Sequence, residues 1–132
     1  MTIERIGIIG AGQMGNGIAH VLALAGYDVV LDDVNKDTLA KALERIDKNM
    51  HRQAARGLIK TDLIAPALKR IRITQALDDM KDRELVIEAA TEDEATKKKI
   101  FQDLCPRLSP NTLRISLKRL LKAKSSSKPT WG

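Results

Sequence analysis

The stretch Ile6-Gly7-Ile8-Ile9-Gly10-Ala11-Gly12-Gln13-Met14-Gly15 constrains this chain more than any other part of it. A short, nearly continuous apolar run reads as a strand buried on both faces of a parallel sheet. It passes directly into a glycine-rich turn. A helix follows, with Met14, Ile18, Val21, Leu22 and Ala25 repeating on one side and Gly26 as a left-handed stop. Val29-Val30-Leu31 is a second short strand, closed by Asp32-Asp33. Strand, helix and strand in about thirty residues make a right-handed βαβ unit. In such a unit each glycine has its own task. Gly10 permits the tight turn, Gly12 leaves room for a pyrophosphate beside the backbone, and Gly15 lets the helix lie close to the sheet. Gly17 reads as a further close-packing point. Helix N–H groups and the helix dipole then stabilise the phosphate charge.

A G-x-G-x-x-G alone is weak evidence, because a tight turn without a ligand uses the same residues. Context strengthens this one: the second strand ends in acid 18 residues after Gly15. Alternation puts Asp32 and Asp33 on opposite faces, so only one of them points at an adenosine ribose. Either would accept from the 2′- and 3′-hydroxyls and repel a 2′-phosphate, which favours NAD over NADP. Further on, Glu88-Ala89-Ala90-Thr91 lies at the carboxyl edge of the sheet, where ligands of this topology bind. Its small residues let the nicotinamide side pass. Glu88 is a candidate for orienting the ring or ribose, the alternative being a strand-end carboxylate that faces water.

The remaining pattern completes an α/β, Rossmann-type, mostly parallel sheet with an inserted helical pair. Asn35 caps a long helix marked by Leu39, Leu43, Ile46 and Met50 and ending near Arg56. Thr61 starts a short helix through Leu68 despite Pro66. Strands are expected at residues 71–74, 85–88 and 112–115. Thr91 and Glu94 read as the capping box of the last sheet-facing helix, with Asp93–Lys97 and Glu94–Lys98 as favourable pairs along it.

A net charge of +6 invites a nucleic-acid reading, but its distribution argues against one. Residues 1–113 hold 17 basic and 17 acidic side chains, whereas residues 114–132 hold 6 basic and no acidic ones. The excess belongs to a tail, not to a folded face. One Phe, one Tyr and one Trp leave no stacking surface for single-stranded nucleic acid. The single cysteine, Cys105, excludes an internal disulfide and a cysteine zinc cluster, and it reads as a half-buried helix residue; no metal site is expected. No apolar run is long enough for a membrane span, and the first one sits directly on the glycine turn as a strand rather than a signal peptide, so the cytoplasm is the default location.

Taken with Asn16-Gly17-Ile18-Ala19, Val29 to Asp33 and Val86 to Glu92, the glycine motif closely resembles the 3-hydroxyacyl-CoA dehydrogenase family, in particular its bacterial 3-hydroxybutyryl-CoA branch. The likeness covers roughly residues 3–113. It implies NAD-dependent oxidation of the 3-hydroxyl of an acyl-CoA, or the reverse. It implies Asp33 as the ribose ligand, Glu88 near the nicotinamide end, and the helical pair of residues 36–68 on the CoA side. The cofactor-binding set it implies is Gly10, Ala11, Gly12, Gln13, Met14, Gly15, Asp33, Glu88, Ala89, Ala90 and Glu92.

The family's catalytic elements are not matched. Members carry an Asn-Thr-Ser-Ser run at a strand end, then a histidine–glutamate pair and an asparagine, and a helical dimerising domain. Here Asn111-Thr112-Leu113 enters the strand, but Arg114-Ile115-Ser116-Leu117-Lys118 replaces the continuation, so Ser116 does not inherit the serine's role. Hydroxyl oxidation needs a base, and neutral imidazole suits it near pH 7. His20 reads as a structural residue against the sheet. His51 reads as a surface residue without an orienting carboxylate. No catalytic residue is assigned, and the family-type homodimer is not expected. The expectation is a domain of residues 1–113 followed by a basic, divergent tail, which a reading-frame change near residue 114 would produce. Such a chain would bind NAD and turn over almost nothing. The alternatives are a non-catalytic NAD- or partner-binding module and a nonfunctional remnant.

Overall fold

The computed structural model describes residues 2–90 and 93–116; the expectations placed on Thr91, Glu92 and residues 117–132 lie outside them. Five strands form one sheet: β1 (Arg5–Ile9), β2 (Asp28–Asp32), β3 (Ile71–Thr74), β4 (Leu85–Glu88) and β5 (Leu113–Ser116). Their order is β3-β2-β1-β4-β5, and every neighbouring pair is parallel. This is the expected Rossmann-type sheet. Its central strands are continuous apolar runs because both faces are covered.

One face packs against α1 (Gln13–Leu24), α2 (Lys36–Ala55) and α3 (Ile64–Lys69), which close the larger core around Ile8, Val29, Leu31, Leu39, Ile46 and Met50. The other packs against α4 (Glu94–Leu104), with Ile9, Val30, Met80, Val86 and Leu104 between them. At the amino ends of the strands, the buried Arg83 guanidinium is held by Asp28 (2.8 Å) and Asp82 (3.0 Å). No helix among the described residues is long and apolar enough to cross a membrane.

Asn35 caps α2 through its side-chain oxygen, which accepts from the Asp37 and Thr38 amides. Three local expectations are corrected. The short helix divides into a 3₁₀ turn, Thr61–Leu63, and α3. Pro66 thereby falls in the first turn of α3, where a missing N–H costs no helix hydrogen bond. The cap of α4 is Asp93, whose carboxylate accepts from Thr96 N at 3.0 Å, so Glu94 is the first helical residue rather than the third. In a run of acids several residues can cap, and the start that turns Leu104 and Ile100 inward prevails.

The third correction concerns α1. Its buried residues are Gly15, Asn16, Ala19, His20 and Ala23, while Val21 is 64 % exposed. Met14, Ile18 and Leu22 are only partly buried beside the core. The helix lies so close to the sheet that small side chains, not large ones, occupy the contact. Gly17 is not part of it: a Cβ there would meet nothing within 4 Å.

Candidate cofactor site

All strands run parallel, so their carboxyl ends share one edge, and the connection order reverses at β1. A crevice opens there between the β1–α1 turn and the β4–α4 turn, at the position where open α/β sheets bind ligands. It encloses about 670 Å³, with Gly10, Gly12, Gln13 and Met14 on one side, Ala89 and Ala90 on the other, and Asp33, Val34 and Thr38 at one end.

The glycine turn is fixed by backbone contacts. Gly10 has φ +104°, and its amide donates to Asp32 O at 2.7 Å. A Cβ on Gly10 would lie 2.7 Å from Ala90 Cα, and one on Gly15 would lie 1.7 Å from Gly10 O. Gly12 differs from both, since a Cβ there meets no atom within 4 Å. Gly12 is also the N-cap of α1, and no side chain caps that end. The helix therefore presents its first-turn amides and dipole to open space with no side-chain acceptor, which suits an anionic group. Gly10 and Gly15 make the cradle's shape; Gly12 leaves its volume free.

Asp33 sits at one end of the crevice. Its Oδ2 accepts from Ala11 N and its Oδ1 from Asn35 N, both at 2.9 Å, so the side chain is aimed before any ligand arrives. Ala11 itself is buried and serves through that amide. Val34, 91 % exposed, follows as an apolar surface beside it. Asp32 lies across the sheet from Asp33 and is 4 % exposed. Thr74, its register partner, donates its hydroxyl to Asp79. Burial, and then the charges of Asp33 and Asp79, push the Asp32 carboxyl up to about 6. In the folded protein this group holds its proton to higher pH than an unfolded aspartate does, near 3.9. Its contribution is therefore favourable at low pH and is lost as pH rises towards 6. Asp32→Asn should raise stability by about 1–2 kcal/mol at pH 7.5 and leave it unchanged at pH 3.5. Thermal melts at the two pH values check this, and equal shifts at both would refute it.

Glu88 is neither in the crevice nor facing water. It is 0 % exposed, on the same face of β4 as Val86. Its Oε2 accepts from Ala90 N at 2.6 Å, and the Ser116 hydroxyl lies 3.4 Å from its Oε1. Alternation along a strand explains this, because Val86 and Glu88 share one face and Ile87 the other.

His20 is buried but faces α2 rather than the sheet, with Nε2 2.7 Å from Gln53 Oε1. His51 does have a carboxylate beside it, contrary to expectation: Asp47, one helical turn earlier, lies 2.9 Å from Nδ1. Both are solvent-exposed on α2, and neither lines the crevice. Cys105 lies in the 3₁₀ turn after α4, with Arg114 Nη1 2.7 Å from its sulfur. No cluster of metal-ligating side chains occurs among the described residues.

One polar group escaped the sequence reading. Lys97 is 4 % exposed and has no side-chain partner among the described residues. It lines a second hollow, of about 650 Å³, with Phe101, Cys105 and Ser116. In the sequence Lys97 reads as the i,i+4 partner of Asp93 along the helix. Only the helix phase set by Asp93 puts it on the side of Phe101 and Leu104.

Residues 5–124 match the family described as 3-hydroxyacyl-CoA dehydrogenase, NAD binding domain. The chain is 47 % identical over 128 residues to a 3-hydroxybutyryl-CoA dehydrogenase from Bradyrhizobium diazoefficiens, covering 92 % of this chain and 44 % of that protein. It is 41 % identical over 103 residues to one from Mycobacterium tuberculosis, covering 78 % and 36 %. Among solved structures, (S)-3-hydroxybutyryl-CoA dehydrogenase from Ralstonia eutropha superimposes with a TM-score of 0.83 at 34 % identity, covering 86 % of this chain and 40 % of that one. The chain thus spans less than half the length of these relatives. A parallel sheet of this order, an uncapped glycine turn and a family match over most of its length together place the chain in the 3-hydroxyacyl-CoA dehydrogenase, NAD-binding-domain family.

Proposed function

We propose that residues 1–113 hold NAD for the oxidation of the 3-hydroxyl of a short-chain 3-hydroxyacyl-CoA, followed by a separate basic segment, 114–132. One observation carries this reading. The Asp33 carboxylate and the uncapped start of α1 open into the same crevice side by side, as an adenosine ribose and the pyrophosphate next to it require.

In this reading the α1 amides and the space at Gly12 take the pyrophosphate, while Gln13 and Met14 wall it. Asp33 accepts from the ribose hydroxyls, and its charge disfavours a 2′-phosphate. Ala89 and Ala90 leave the path open towards the nicotinamide end, and Glu92 belongs to that end by resemblance. Bound there, NAD supplies the acceptor for the hydride leaving the substrate carbon. Lys97, buried near the strand tips and without a side-chain partner among the described residues, suits a ligand's polar groups. On the far side of α2, Lys41, Arg45, Lys48 and Arg52 are exposed together around Glu44, which pairs with Lys48 at 3.6 Å, and the excess positive charge suits the phosphates of CoA.

The alcohol proton needs an acceptor, and neither histidine reaches the crevice. Among the described residues the chain therefore contributes cofactor binding without a histidine base in the crevice. Calorimetric titration should show NAD binding at least tenfold tighter than NADP, with no measurable oxidation of 3-hydroxybutyryl-CoA. Equal affinity for NADP would overturn the role of Asp33. Robust turnover would overturn the claim that the base is missing.

A further inference from the structure

We infer that Glu88 is a positioning residue for the cofactor crevice: it sets the β4–α4 turn, and through that turn the shape of the glycine cradle. The inference rests on the NAD-binding reading above and extends it to a residue that touches no part of the crevice.

A carboxylate buried completely at a strand end needs compensating hydrogen bonds. Glu88 obtains one by curling back onto its own chain, where Oε2 accepts from Ala90 N at 2.6 Å. That short bond holds the peptide between Ala89 and Ala90 in place at the point where the chain leaves the sheet. The same peptide forms the wall facing Gly10. The approach is so close that a single methyl on Gly10 would sit 2.7 Å from Ala90 Cα, 2.8 Å from Ala90 N and 3.0 Å from Ala89 C. Gly10 O, in turn, is the atom that a side chain on Gly15 would strike. A line of contacts therefore runs from the Glu88 carboxylate through the Ala90 amide to Gly10 and the first turn of α1. The second oxygen faces the Ser116 hydroxyl at 3.4 Å, at the register position of Glu88 on β5. One buried carboxylate thus joins the carboxyl ends of β4 and β5.

Beyond the Glu88 carboxylate each link is backbone packed on backbone, so displacement of Ala90 cannot be absorbed by a side-chain rotation. Withdrawing the acceptor should widen or reshape the crevice while the strands, held by their own ladders, stay paired.

The test compares the full chain with Glu88→Gln, which keeps an acceptor for Ala90, and Glu88→Ala, which removes it. NAD affinity is measured by calorimetry, and protection of the Ala90 amide by hydrogen exchange without NAD. The alanine variant should retain a cooperative melt, lose at least tenfold in NAD affinity, and expose the Ala90 amide. The glutamine variant should stay within threefold of the parent and keep that amide protected. Unchanged affinity in the alanine variant, or an equal loss in both, overturns the inference. Should the alanine variant not fold, Glu88→Asp decides, because it draws the acceptor back from Ala90 while remaining a carboxylate: lost affinity supports the inference and parental affinity overturns it. If the parent itself binds no NAD, the cofactor reading fails. Amide protection then still tests the positioning role, supporting it where protection follows the Glu88 variants and overturning it where it does not.

Discussion

Replacing Gly15 by alanine is expected to cost the chain much of its stability and all of its cofactor binding. The new methyl would lie 1.7 Å from Gly10 O, less than half a normal contact distance. Gly10 cannot retreat. Its amide is bound to Asp32 O, and its other side is pressed against the Ala89–Ala90 peptide. Nor can α1 lift away easily, since Ala19 and Ala23 are buried in the contact. Overpacking of this kind costs about 3–5 kcal/mol when only backbone can yield. That is a large share of the roughly 5–15 kcal/mol that holds a domain folded. The melting temperature should fall by about 10 °C or more. A melt within 2 °C of the parent would refute the argument. Gly12→Ala supplies the contrast, because its methyl meets nothing in the protein and occupies only the volume proposed for the pyrophosphate. That variant should melt like the parent and bind NAD at least tenfold more weakly. The same substitution three residues apart should separate folding from binding.

The second large effect is expected at Asp33. Asp33→Ala removes the acceptor proposed for the ribose hydroxyls and also the acceptors for the Ala11 and Asn35 amides. Charge-assisted hydrogen bonds contribute about 1.5–3 kcal/mol each. Loss of one or two should weaken NAD binding on the order of 100-fold. NADP should lose much less, because the carboxylate that repels its 2′-phosphate is gone, so the preference for NAD should collapse. Asp33→Asn separates the two contributions: it keeps an acceptor for one of the two amides but not the charge, and should show the lost discrimination with a smaller loss of affinity. Calorimetric titrations with both dinucleotides measure this. An undiminished preference for NAD in Asp33→Ala would place the discriminating group elsewhere.

Much of the fold was legible because parallel strands covered on both faces are spelled as short apolar runs, and Ile6 to Ile9 and Val29 to Leu31 are such runs. The long stripe of Leu39, Ile46 and Met50 was equally plain, as was the cap at Asn35. Packing of α1 was not. A hydrophobic pattern measures how much surface a face can bury, whereas this helix is held where its side chains are smallest. The same reasoning misjudged Gly17, whose neighbours are solvent. Glu88 was found as a residue of the crevice region, but which way a strand-end carboxylate turns depends on the hydrogen-bond donors folding brings to it. The burial of Lys97 and the Asp47–His51 pair were missed for a related reason. Each depends on helix phase or on one rotamer, neither of which composition or charge runs record.

The contact between Gly10 and Ala90 joins segments 80 residues apart in the chain. The first βαβ unit can form from near neighbours, but the crevice has only one wall until β4 has found its place beside β1. Closing so long a loop is slow compared with forming a helix or docking adjacent elements. On contact-order grounds the crevice is therefore expected to be completed late in folding, after much of the helical structure is in place. A partly folded chain would carry an intact glycine turn and still have no site.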